Sequence, residues 1–137
     1  MLHFTRETDY ALQLLKGLSD QDGHCLSLSD FSQESTISIP ILQKVARQLR
    51  VAGLIQSIRG KGGGYLLTRP TKNIHLSDVV HAIEGKIGVT HCLKKNNSCK
   101  SEKGCSARKG FERINGQIIA ILDSTSVQDF FEHKTYA

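Results

Sequence analysis

The stretch that decides the fold is Ser38–Pro70, SIPILQKVARQLRVAGLIQSIRGKGGGYLLTRP. Its first third carries Ile41, Leu42, Val45, Ala46 and Leu49 at the spacing of one apolar helical face. Ser38 reads as the N-cap, Pro40 is tolerated in the first turn, and Gly53 stops the helix after about Val51. The opposite face holds Gln43, Lys44, Arg47, Gln48 and Arg50. Two strand-like runs follow, Leu54–Arg59 and Tyr65–Thr68, and the glycines of Gly60-Lys61-Gly62-Gly63-Gly64 between them predict a hairpin.

Upstream, residues 5–18 predict a helix with Tyr10, Ala11, Leu14, Leu15 and Leu18 on one stripe. A loop at 20–23 and a short helix over 28–34, capped by Ser27, lead into the basic helix. Helix, short helix, basic helix and glycine-tipped hairpin make a winged helix-turn-helix, so the fold class is mainly α with a small β-hairpin wing. In such a fold Ser38, Gln43, Lys44 and Arg47 suit the major groove of double-stranded DNA, with Gln and Arg on base edges and Lys on phosphate. At the hairpin tip, Arg59, Lys61, Gly62 and Gly63 offer cations and bare backbone to a neighbouring groove or backbone. Charge agrees with this reading. The chain carries a net +5, and no Asp or Glu occurs from Ser35 to Ser77 while seven Lys and Arg do. The glycine run is not a nucleotide phosphate loop, because no Ser or Thr follows the lysine and a strand, not a helix, comes next.

Downstream, Ser77 reads as the cap of a helix over Asp78–Glu84, and Gly85 as its stop. A long helix is predicted from Ala107 to about Leu122. In it Phe111, Ile114, Ile118 and Ile121 alternate steps of three and four, the spacing of a coiled-coil seam, which favours a homodimer over packing within one domain. Val127, Phe130 and Phe131 predict a last docking turn. The chain thus divides into a DNA-binding unit at 1–85, a cysteine-rich loop at 86–106 and a dimerisation segment at 107–137.

Three of the four cysteines, Cys92, Cys99 and Cys105, lie in a polar segment between those units. Such a segment cannot hold thiols by packing, so they are either reactive or bound. The C-x6-C-x5-C spacing lacks the close pairs of common zinc sites. It suits an iron–sulfur cluster, whose irons are themselves spread apart. A thiol–disulfide switch competes, because Lys94, Lys95, Lys100 and Lys103 favour the reactive thiolate, and zinc stands third. Cys25 reads as an inert small residue. No catalytic triad or paired-carboxylate site is present, so the chain reads as a non-enzyme with no small-molecule substrate. No run approaches the roughly 18 to 20 apolar residues of a membrane span. MLHFTRETDYAL has no signal-peptide character. A cytoplasmic location is therefore expected, where clustered cysteines are more often metal ligands or redox centres than structural disulfides.

FTRETDYALQLL, SIPILQKVARQLRVAGLI, SIRGKGGGYLLTRP and the cysteine triplet together resemble the Rrf-type bacterial transcription regulators, the IscR/NsrR/RirA group, over about residues 3–131. The resemblance implies a homodimer that binds an operator through its winged helices. It also implies a [2Fe–2S] or [4Fe–4S] cluster on Cys92, Cys99 and Cys105 whose state, read from redox, nitric oxide or iron supply, sets DNA affinity. The chain departs from that pattern at two points. The first gap is six residues where five is commoner, and Arg108 stands where IscR-like members place a ligating histidine. NsrR-like members use instead an acidic residue near the N-terminus of the partner subunit, and the resemblance implies Asp9 as its best match here, with Glu7 second, which leaves the fourth ligand open.

Overall fold

The structure, a computed structural model, describes residues 2–94 and 105–133. Helix α1 (Arg6–Ser19) starts where the Thr5 hydroxyl accepts the Thr8 N–H at 3.3 Å. Glu7 and Asp9 stand in its first turn and Lys16 in its last, each of the sign the helix dipole favours. It buries Ala11, Leu12, Leu14, Leu15 and Leu18. Leu12 replaces the expected Tyr10 on that face, and Tyr10 lies half-buried at the core's edge.

Helix α2 (Leu28–Ser35) is capped by Ser27 as expected and ends at Thr36, whose φ of +63° turns the chain toward the next helix. Ser32 and Ser35 tighten that corner through hydrogen bonds to the Ile37 and Phe31 carbonyls, both 2.6 Å. Helix α3 (Ile39–Val51) buries Leu42, Val45, Ala46 and Leu49. Ile41, expected on that stripe, stays 37% exposed because it faces the N-terminal segment across an open groove with Phe4 and Tyr10. The helix closes with Gly53 N–H donating to Arg50 O at 2.9 Å and Leu54 N–H to Leu49 O at 3.0 Å.

Strands β1 (Ile55–Ile58) and β2 (Gly64–Leu67) pair antiparallel, Ile55 opposite Leu67 and Ile58 opposite Gly64. The wing is tied to the body by a bridge between Leu26 and Tyr65, with N–H···O distances of 3.1 and 2.9 Å. A 3₁₀ turn (Thr71–Asn73) precedes α4 (Leu76–Glu84). That helix begins two residues before the expected position. The Asp78 carboxylate accepts the His75 N–H at 2.9 Å, so His75 is the N-cap and Ser77 is buried within the first turn. After the short α5 (His91–Lys94), α6 (Arg108–Ser124) runs for about 25 Å. Finally α7 (Val127–Phe131) drops Val127 into the core, and Phe131 packs at its edge, as the docking turn required.

One core results, shared by α1, α3, α4, the wing base and Val127. An unforeseen bridge joins His75 to Ser126, with Leu76 N–H to Thr125 O at 2.9 Å and Val127 N–H to Ile74 O at 2.8 Å. Among the described residues no helix is long and apolar enough to cross a membrane.

Candidate nucleic-acid interface and cysteine site

The α2–α3 corner places α3 on the surface, its buried stripe inward and Gln43, Arg47 and Arg50 outward, all exposed. Ser38 has N-cap backbone geometry but makes no capping bond, so its exposed hydroxyl is available to a ligand. Gln48, expected on the polar face, is instead half-buried, and its amide Nε2 donates to the Ile83 carbonyl at 3.4 Å.

Lys44 is exposed but lies 3.5 Å from the Glu7 carboxylate. Glu7 is held below the usual carboxylate range by its own backbone N–H first and by Lys44 second. An exposed pair of this kind is weak, so phosphate can displace Glu7. The acid-free window in sequence is therefore not acid-free in space. At its other end Arg69 donates to Asn73 O at 3.0 Å and lies 3.5 Å from Asp78, the residue just past the window. Folding assigns Arg69 to structure and leaves Arg47, Arg50, Arg59, Lys61 and Lys72 as the outward cations.

Arg59 and Lys61 are exposed at the wing tip. Gly63 closes that tip by donating to Gly60 O at 3.0 Å, and a Cβ there would run into the Ile58 carbonyl. Glycine at 63 is thus required by the hairpin itself before any contact with DNA is considered. On α6, Phe111, Ile114 and Ile121 are 41%, 48% and 63% exposed, whereas Ile118 and Leu122 turn inward onto the body. The helix therefore splits its apolar residues between its own core and an open outer stripe.

The structure puts Cys92 and Cys105 at a junction. The chain leaving α4 folds back on itself, with Val89 N–H donating to the Asn115 side chain on α6 at 2.9 Å. Gly88 lies against the backbone of Lys94 so closely that a side chain would collide with it. Cys92 sits in α5, half-buried, with its sulfur 3.1 Å from the Thr90 hydroxyl. A short helix holds it where a polar loop was expected. Cys105 is exposed just before α6, and its carbonyl accepts the Arg108 N–H at 3.3 Å. Cys99 lies outside the described residues, as do Lys95, Lys100 and Lys103. Both described thiols are free. Cys25 is also free and half-buried, at the base of the wing.

Asp9 is exposed on α1, and its carboxylate accepts from Gln13 Nε2 at 3.1 Å. Among the described residues no three His, Cys, Asp or Glu side chains gather within one chain. Arg108, whose guanidinium Nε bonds Glu112 at 2.9 Å, is a helix-surface residue. Sequence reasoning missed the buried Thr8, 1% exposed, whose hydroxyl donates to Glu84 Oε2 at 2.6 Å. The two are 76 positions apart, and no local pattern announces such a pair.

Comparison with known proteins adds identity to this geometry. A family model, Rrf2, described as "Iron-dependent Transcriptional regulator", matches residues 4–133. The chain is 39% identical over 120 residues to the HTH-type transcriptional regulator IscR of Cereibacter sphaeroides, covering 85% of this chain and 77% of that one. Among solved structures it resembles CymR, the global cysteine regulator of B. subtilis, with a TM-score of 0.75 at 28% identity, covering 98% and 100% of the two chains. It also resembles T. potens IscR, with a TM-score of 0.70 at 25% identity, covering 99% and 93%.

Proposed function

Because this chain belongs to the Rrf2 family of transcriptional regulators, we propose that it is a homodimeric, cytoplasmic operator-binding protein whose affinity depends on an iron–sulfur cluster held by Cys92, Cys99 and Cys105. Residues 1–85 read DNA, 86–106 hold the cluster and 107–137 dimerise. The observation that carries the reading is the placement of the two described thiols. Cys92 ends the fold-back from α4 and Cys105 opens α6, so the cysteine segment bridges the DNA-reading head and the open apolar stripe.

The donor set fits such a group. Soft thiolates suit iron–sulfur clusters, and the exposed Asp9 carboxylate of the partner subunit would supply a fourth, harder ligand. When bound, the cluster supplies a centre that responds to oxidants, nitric oxide or iron supply. The rest is done by the chain. Engaging Cys92 and Cys105 together fixes α5 against the start of α6. Phe111, Ile114 and Ile121 hold the partner's α6, while Ile118, expected in that seam, packs on the chain's own core, so the angle of α6 sets the separation of the two α3 helices. Two half-sites a helical turn apart tolerate little error in that separation.

The description of the family as iron-dependent supports iron over zinc. A second reading replaces the cluster with disulfide formation between loop cysteines, and the likeness to a cysteine regulator supports it. One preparation separates them. Protein purified without oxygen should be coloured, contain iron and sulfide in stoichiometric amounts, and change its operator affinity on loss of the metal at matched salt. A colourless protein that resists reconstitution, yet loses DNA binding under mild oxidant, would establish the disulfide reading.

A further inference from the structure

At the last turn of α4, four elements meet around a cavity of about 240 Å³. Gln48 enters it from α3, Glu84 from α4, Thr5 from the lead-in to α1, and Lys94 from the end of α5. Three of these four are already committed. Gln48 Nε2 donates to the Ile83 carbonyl at 3.4 Å, and the Thr5 N–H and the Thr8 hydroxyl both donate to Glu84 Oε2, at 3.4 and 2.6 Å. The Gln48 amide cannot be turned round, since its oxygen would then face the Ile83 oxygen. That leaves Gln48 Oε1 as the buried side-chain acceptor without a hydrogen bond among the described residues. A buried acceptor left open is costly, and it favours any arrangement that brings a donor to it.

Two ammonium groups line this cavity, and Lys44 is paired with Glu7 at 3.5 Å, which leaves Lys94 as the available donor. It is exposed, makes no ion pair among the described residues, and lines the same cavity. It stands two residues beyond Cys92 on the same short helix, whose backbone is held against Gly88. We propose that the cavity is an intrachain relay. With Cys92 engaged, the Lys94 ammonium donates to Gln48 Oε1 and faces the Glu84 carboxylate; with Cys92 released, it swings back into solvent. This rests on the reading that cysteine engagement sets operator affinity, and it supplies a route to the recognition helix within one chain. Gln48 is the residue after Arg47 and one turn beyond Lys44, so fixing its amide fixes the turn of α3 that faces DNA.

The test uses the full chain, wild type and the variants Lys94→Met, Gln48→Met and the double, each iron- and sulfide-loaded and each metal-free. Operator affinity is read by fluorescence anisotropy at matched salt, and iron is counted per chain. Each single variant should lower the ratio of the two affinities about tenfold, the effect of one charge-assisted hydrogen bond. The double should do no more, and iron content should not change. A wild type that switches, with variants that keep its full ratio, overturns the relay alone and leaves a water as the partner of Gln48 Oε1. An equal loss in both forms makes Lys94 a phosphate contact and also overturns it. A wild-type ratio of one overturns the relay together with the reading beneath it. Lys94 is on the surface, so its variant folds and decides the matter even where Gln48→Met does not.

Discussion

Replacing Thr8 with Val keeps the shape of a side chain that is 1% exposed and removes one hydroxyl. That hydroxyl donates to Glu84 Oε2 at 2.6 Å, while the other donor to the same oxygen, the Thr5 N–H, stands off at 3.4 Å. The substitution therefore leaves the carboxylate oxygen with its weaker donor. Hydrogen bonds to charged groups contribute roughly 1.5–3 kcal/mol. Glu84 is half-exposed, so water replaces part of the lost bond, and the expected cost falls at the lower end, about 1.5 kcal/mol. For a chain of this length that lowers the thermal midpoint by roughly 5 °C. The assay is urea and thermal unfolding followed by circular dichroism for Thr8→Val, Glu84→Ala and the double variant. The cycle should return a coupling of about 1 kcal/mol or more. A Thr8→Val protein as stable as wild type, or a strictly additive double, would show that the bond does not hold the start of α1 to the end of α4.

Arg59→Ala and Lys61→Ala should weaken binding to all sequences alike and each lower the slope of log affinity against log salt by about one, as phosphate contacts do; an unchanged slope would move the wing off the DNA. Glu7 has a lowered carboxyl pKa, so its contribution to stability is present above the ordinary carboxylate range and fades as pH falls through its folded value. Thermal midpoints of Glu7→Gln and wild type should accordingly differ near neutrality and converge in acid, and parallel curves would refute this. At neutral pH the same variant releases Lys44 and should tighten operator binding. Phe111→Asp with Ile114→Asp should halve the sedimenting mass while leaving the circular dichroism spectrum intact, because neither residue belongs to the chain's own core; a dimer that survives would place the interface elsewhere.

Elements dictated by local chemistry were legible from the residues. The stripe Leu42, Val45, Ala46 and Leu49, the Ser27 cap and the glycine-tipped wing all stand where their spacing put them. What escaped was set by partners distant in sequence. Ile41 has apolar character but lacks a neighbour to cover it, and Gln48 looks like a surface residue until Ile83 arrives beside it. His75 displaced Ser77 as the cap because Asp78 bonds the backbone at 75 and Ser126 pairs there too. At the candidate interface, Ser38, Gln43, Arg47, Arg59 and Lys61 are exposed, while Lys44 gained an acidic neighbour from outside its window. The spacing of the cysteines gave no sign of the short helix around Cys92. That helix depends on Gly88 and Asn115, which no local pattern links to it.

The bridge between His75 and Ser126 gives the chain a mechanical order different from its sequence order. Helix α6 is clasped at its middle by Asn115 and, just past its end, by this strap, so it behaves as a rigid spoke set into the hub and not as an arm on a joint. A torque applied near Cys105 would then be delivered to the whole head at once, with no slack to absorb it.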